Sequence, residues 1–205
     1  MDTTPVKGLR ERKKQETRAA LSWAAVRLAV ERGLDNVLVE DIAADVGVSP
    51  RTFNNYFSSK AEAIAFRHLD RSLRVVAVLR DRPPAEPLWD AITHAALSPF
   101  QSEDHTTPDP AWIAGLKLMT SEPALIGAFL RASALAEREF ADVIAERTGT
   151  DAKRDLYPRL VAASVGAAVE VAQDQWLNAD PPVPIEPLIR DALRQISSGL
   201  TEPTA

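Results

Sequence analysis

The sequence predicts an all-α fold: a small N-terminal head of three helices containing a helix–turn–helix, then a larger helical body, about nine helices in total. Three observations carry that expectation. Apolar residues recur at spacings of three and four along most of the chain, and no stretch alternates as a half-buried strand would. The 15 prolines fall largely between those periodic runs, where they end helices. Residues 39–60, VEDIAADVGVSPRTFNNYFSSK, read as two short helices joined by a tight turn.

The chain begins with a polar segment, 1–8, expected to be disordered. Lys7, Arg10, Arg12, Lys13 and Lys14 make this start cationic, which attracts phosphates. The first helix is expected over 10–32, with Leu21, Ala24, Ala25 and Leu28 as its buried stripe and Gly33 as its stop. Trp23 lies off that stripe.

In the helix–turn–helix, about 38–57, Ile42, Ala43 and Val46 form one apolar face. Gly47 follows, where a left-handed residue ends the helix without a Cβ penalty. Ser49 stands at the next N-cap and Pro50 at the first helical position, where its missing N–H costs nothing. Phe53 and Phe57 can bury together, which leaves Arg51, Thr52, Asn54, Asn55 and Tyr56 on the other faces.

A fourth helix is expected from Ser59 to about Arg80, roughly 30 Å long, with Pro83, Pro84 and Pro87 beyond it. Further helices are expected over 87–97, 111–120, 123–148, 151–179 and 185–198, with a polar loop at 98–110 and a break at Pro181, Pro182 and Pro184. Residues 1–58 are read as one domain, which holds the helix–turn–helix, and 59–205 as a second, helical one.

Composition narrows the function. The net charge is −5, which alone argues against a nucleic-acid binder. The distribution reverses the argument: 1–82 carry 15 Lys and Arg against 11 Asp and Glu, a net of +4, while 83–205 carry 9 against 18, a net of −9. With no cysteine, disulfide and thiolate chemistry are excluded. No window reaches the ~18 apolar residues of a membrane span, and the N-terminus lacks an apolar signal segment, so a cytoplasmic protein is expected.

The head resembles the DNA-binding domain of the TetR family of bacterial transcriptional regulators. The matching residues are Thr17-Arg18, Ala24-Ala25, Glu31-Arg32-Gly33, Asp41-Ile42-Ala43, Gly47-Val48-Ser49, Thr52-Phe53, Tyr56-Phe57 and Ser59-Lys60. The family usually has aromatics at positions 29 and 34, here Ala29 and Leu34. It tends to have Thr at 37–38, where Val37 and Leu38 can neither cap a helix nor touch a phosphate.

The resemblance implies a dimeric, ligand-responsive repressor on a palindromic double-stranded operator. Arg51, Thr52, Asn54 and Asn55 are the candidates for base edges, since Arg suits guanine and Asn adenine. Ser49, Tyr56, Lys60, Lys13 and Lys14 are the candidates for phosphates, which set position and not sequence. The last two helices are implied to pair across a two-fold axis through Leu160, Ser164, Ala168, Val171, Leu188, Ala192 and Ile196.

Residues 122–177 also resemble a subgroup of the family described as binding fatty acyl-CoA-like ligands. Glu122-Pro123-Ala124-Leu125, Arg131, Glu139, Glu146-Arg147, Gly149, Tyr157-Pro158-Arg159-Leu160 and Gln175-Trp176-Leu177 carry that likeness. The expected pocket residues are Trp89, Phe100, Trp112, Leu116, Met119, Phe129, Phe140 and Trp176. Arg131, Lys117 and Arg74 are the candidates for a polar head group.

An enzyme and a structural adaptor are the rival classes. The chain has neither a Gly-x-Ser-x-Gly elbow nor a phosphate-binding glycine loop. His68, His94 and His105 are scattered, and no catalytic residue, metal or cofactor is expected. An adaptor would have no need of Arg51, Asn54 and Asn55 facing outward on a capped helix.

Overall fold

The computed structural model describes residues 4–100, 110–180 and 183–200. They form nine α-helices: α1 (Thr4–Arg32), α2 (Val39–Asp45), α3 (Pro50–Asn54), α4 (Lys60–Asp81), α5 (Leu88–Leu97), α6 (Pro110–Ser121), α7 (Pro123–Thr148), α8 (Leu156–Leu177) and α9 (Ile185–Ser197). Single 3₁₀ turns stand at Leu34–Asn36 and Ser98–Phe100. No strand occurs among the described residues.

These helices gather into two compact units. One holds α1 to α3, α4 as far as Leu69, α6, and α7 as far as Ala132. The other holds α4 from Asp70, α5, α7 from Ser133, α8 and α9.

In the first unit α1 buries Leu21, Ala24, Ala25 and Leu28. Ser22, the buried polar residue of that helix, donates its hydroxyl to the Ala63 carbonyl of α4 at 2.5 Å, which satisfies it. Helix α1 starts at Thr4, not near Arg10 as the polar composition suggested. Pro5 in the first turn explains it, since a ring there removes no hydrogen bond. The buried Gly115 of α6 lies against α1, where a Cβ would come 2.8 Å from Val26 Cγ1. Ala61 and Leu69 of α4 flank a small-residue seam of Ala65, Ala128 and Ala132 between α4 and α7. The rings of His68 and Phe129 meet beside it at 4.4 Å.

In the second unit α8 packs on α9 and α5 on α9. The buried faces are Val161, Val165, Ala168, Ala172 and Trp176 of α8, and Ile185, Ile189 and Leu193 of α9. The turn after α4 is held by Arg147 of α7. Its guanidinium donates to the carbonyls of Arg82 (2.9 Å), Pro83 (3.0 Å) and Glu86 (3.1 Å).

Helix α8 begins at Leu156, five residues after the expected Asp151. Pro158 is the reason. A helix running from Asp151 would lose the bond to the Arg154 carbonyl and press the proline ring on it, whereas a start at Leu156 puts Pro158 in the first turn. The preceding residues form their own turn, with Asp155 accepting the Asp151 N–H at 2.8 Å.

Candidate nucleic-acid interface

Gly47 takes φ +71° and closes α2, and its N–H donates to the Ala44 carbonyl. Ser49 then caps α3 by accepting the Thr52 N–H at 3.1 Å, with Pro50 at the first helical position. Phe53 and Phe57 are fully buried with ring centroids 5.7 Å apart, and Phe66 of α4 joins Phe57 at 5.5 Å. Arg18 of α1 lies over the Phe66 ring at 4.2 Å. This aromatic anchor fixes which side of α3 faces away from the protein.

That outward side carries Arg51, Asn54 and Asn55, all exposed. Among the described residues no hydrogen bond occupies their side chains, which leaves a guanidinium and two carboxamides available for base edges. Thr52 is half-buried, and its hydroxyl is within 2.9 Å of the Ser49 hydroxyl, so it serves the cap. Tyr56 is half-buried, while Ser49, Lys13 and Lys14 are exposed.

Lys60, expected at a phosphate, is already engaged within the chain. Its ammonium donates to the carbonyls of Leu34 (2.7 Å) and Val37 (3.0 Å), which takes two of its three protons. The cap thought missing at Leu38 is half present, because the Asp41 carboxylate accepts the Leu38 N–H at 2.9 Å. Trp23 also finds a partner: the Arg67 guanidinium sits 3.5 Å from its ring centroid.

Sequence reasoning passed over Glu62. Its carboxylate accepts the Ser58 N–H at 2.7 Å and the Ser58 hydroxyl at 2.6 Å, while its own N–H donates to Ser59 Oγ at 3.2 Å. The signal was present in the spacing Ser59-x-x-Glu62, a capping-box pattern.

The effector candidates fall in both units. Phe129 and the exposed Arg131 belong to the first; Trp89, Phe100, Phe140 and Trp176 belong to the second. Phe140 and Trp176 are buried, and the Arg71 guanidinium lies 4.6 Å from the Phe100 ring. Arg74 is paired with Asp70, and Lys117 is exposed. The side chains of Trp112, Leu116 and Met119 lie outside the described residues. Two open grooves, of about 640 Å³ beside Gln175 and Leu188 and about 550 Å³ beside Trp23 and Val30, take no residue from the expected set.

Of the expected pairing residues, Leu160 and Val171 are 60% and 64% exposed, while Ser164, Leu188, Ala192 and Ile196 are half-buried. Ala168 is turned into its own chain and is 5% exposed. Among the described residues no group of three or more His, Cys, Asp or Glu could hold a metal ion, and no helix is long and apolar enough to cross a membrane.

Comparison with known proteins agrees with this geometry. The model of bacterial regulatory proteins of the tetR family matches residues 23–64, and the MftR C-terminal domain matches 86–201. The HTH-type transcriptional regulator TcmR of Streptomyces glaucescens is 33% identical over 178 residues, 84% of this chain and 79% of that protein. A Rhodococcus crystal structure assigned to the TetR family superposes with a TM-score of 0.59 at 23% identity, covering 91% of this chain and all of the other. Thermus thermophilus FadR, a TetR-family repressor solved with lauroyl-CoA, shares the fold with a TM-score of 0.53 at 18% identity, over 92% of this chain and 97% of that one.

Proposed function

The chain belongs to the TetR family of bacterial transcriptional regulators, and from that premise we propose that it is a dimeric cytoplasmic repressor of a palindromic operator, released by a small apolar effector. The observation that carries the reading is α3: a short capped helix, anchored by Phe53 and Phe57, with Arg51, Asn54 and Asn55 outward. A helix of this kind enters the major groove, where Arg pairs with guanine and Asn with adenine. Ser49, Tyr56, Lys13 and Lys14 hold phosphates, with Thr52 at the edge of the base-reading set. Residues 1–58 form the reading domain and 59–205 the domain that senses and pairs. A two-fold protein meets a two-fold operator through the exposed apolar face of α8, Leu160 and Val171, with Ser164, Leu188, Ala192 and Ile196 at its border.

The effector is a fatty acyl-CoA or a molecule of that chemistry. The fold shared with the lauroyl-CoA complex of Thermus FadR supports this reading, and Arg131 is the cation for its head group. The effector favours a conformation in which the two reading heads are wrongly spaced. A 100-fold loss of operator affinity requires about 2.7 kcal/mol of coupling, inside the usual range.

The experiment is a mobility shift with the promoter DNA beside the protein's own gene, titrated with acyl-CoAs of increasing length. Each buried methylene contributes about 0.8 kcal/mol, so release should climb steeply with chain length until the cavity is full, and weaken in Arg131→Ala. No binding at micromolar acyl-CoA removes this effector class; no retarded DNA removes the regulator reading.

A further inference from the structure

Two charged residues of the first turn of α4 spend their hydrogen bonds inside the protein. Lys60 brackets the 3₁₀ turn that leads α1 into α2 by bonding the carbonyls of Leu34 and Val37. Glu62 takes, on one oxygen, both donors of Ser58, the residue that follows the buried Phe57. The turn therefore grips the helix–turn–helix at both ends: the way into α2 through Lys60, the way out of α3 through Glu62. Ala61 and Ala65 of the same stretch pack against Ala128 and Ala132 of α7, which holds the gripping turn from behind.

We propose that Lys60 and Glu62 are positioning residues for operator reading, which set the angle and register of α3 through the two ends of the motif without touching DNA. The proposal rests on the regulator reading above. Glu62 is held in its charged form. Burial pushes its carboxyl up, but the Ser58 bonds and the positive charges of Arg18 and Arg131 outweigh that and leave it below the usual carboxylate range.

The proposal makes a claim about sign. Facing phosphates, a lysine attracts and a glutamate repels, so their removal should shift DNA affinity in opposite directions. As positioning residues they act alike: removing either weakens the specific complex. Phosphate attraction to arbitrary DNA, which does not depend on the angle of α3, stays as it was.

The test uses the full chain and a duplex selected by the wild-type protein from a random pool, with a scrambled duplex of equal length as control. Lys60→Met and Glu62→Gln should each lose about tenfold on the selected duplex, about 1.4 kcal/mol. Affinity for the scrambled duplex and the slope against salt should stay unchanged. Ser58→Ala, which removes one of the two bonds to Glu62, should lose less in the same direction. Circular dichroism and thermal melting identify a variant that has lost its fold, and Ser58→Ala then decides the Glu62 arm. A slope lowered by about 0.9 in Lys60→Met, with losses on both duplexes, would make Lys60 a phosphate ligand and overturn its assignment. Tighter binding by Glu62→Gln or Ser58→Ala would do the same for Glu62. If the wild-type protein selects no duplex, the regulator reading fails and this proposal with it; if it does and the variants match it, this proposal alone fails.

Discussion

Helices α3 and α8 bury their inner faces alike and differ on the outside. Helix α3 hides Phe53 and shows Arg51, Asn54 and Asn55; α8 hides Val161, Val165, Ala168 and Trp176 and shows Leu156, Leu160 and Val171, at 73%, 60% and 64% exposure. The outer face of α3 is complete in water, since apart from Pro50 in its first turn its exposed residues, Arg51 and Asn54 with Asn55 at its end, are polar. The outer face of α8 is not, because a run of aliphatic side chains on one helix face is left mostly exposed to water. One helix is finished by its own chain, with the polar face that the proposed function sets against base edges. The other is apolar on both sides, so periodicity identifies its apolar residues but not which of the two faces is internal.

The contrast breaks most sharply at two positions of α8. Ala168→Arg places a charge where the residue is 5% exposed, and should destabilise the fold by at least about 4 kcal/mol, read as a collapse of the urea midpoint. Leu160→Arg, on the exposed face, should leave that midpoint within about 0.5 kcal/mol of wild type at concentrations where both are monomeric, yet shift sedimentation from dimer to monomer. A folded Leu160→Arg dimer would move the pairing face elsewhere.

The next effect is on α3. Asn55→Ala should cost about 1–3 kcal/mol on the selected operator and relax its sequence preference at one position, with the fold intact. An equal loss on all sequences would remove Asn55 from base reading and make the outer face of α3 merely polar.

The smallest effect concerns pH. The folded-state carboxyl of Glu62 lies below its ordinary value of 4.5, so its contribution to stability is present above that value and is lost as pH falls through the folded one. Wild type should exceed Glu62→Gln in thermal stability at neutral pH by a margin that closes on acidification below about 4.5. A margin constant with pH would mean the charge of Glu62 has no part in the fold.

The helix–turn–helix was legible because its signals are local. Gly47 at positive φ, Ser49 as cap, Pro50 at the first position and the i, i+4 pair Phe53–Phe57 lie within eleven residues and do not depend on the rest of the chain. What escaped reading depends on partners distant in sequence. Trp23 stands off the buried stripe of its own helix, and its partner Arg67 comes from α4. Lys60, beside a DNA-reading motif, suggests a phosphate, and only the fold brings the Leu34 and Val37 carbonyls to it. The start of α8 lay between these cases, since Pro158 was visible but a proline can end one helix or begin another.

The two ends of α4 are tied down by the same two kinds of bond. At each end a cation holds backbone carbonyls, Lys60 at the beginning and Arg147 at the end, and a carboxylate makes a second tie, Glu62 on Ser58 and Glu86 on Arg82. Carbonyls take up no proton in the range a protein survives, whereas a carboxylate does. Acid therefore loosens each end of α4 only in part, at Glu62 near the beginning and at Glu86 beyond the end, and leaves the Lys60 and Arg147 ties to backbone carbonyls in place.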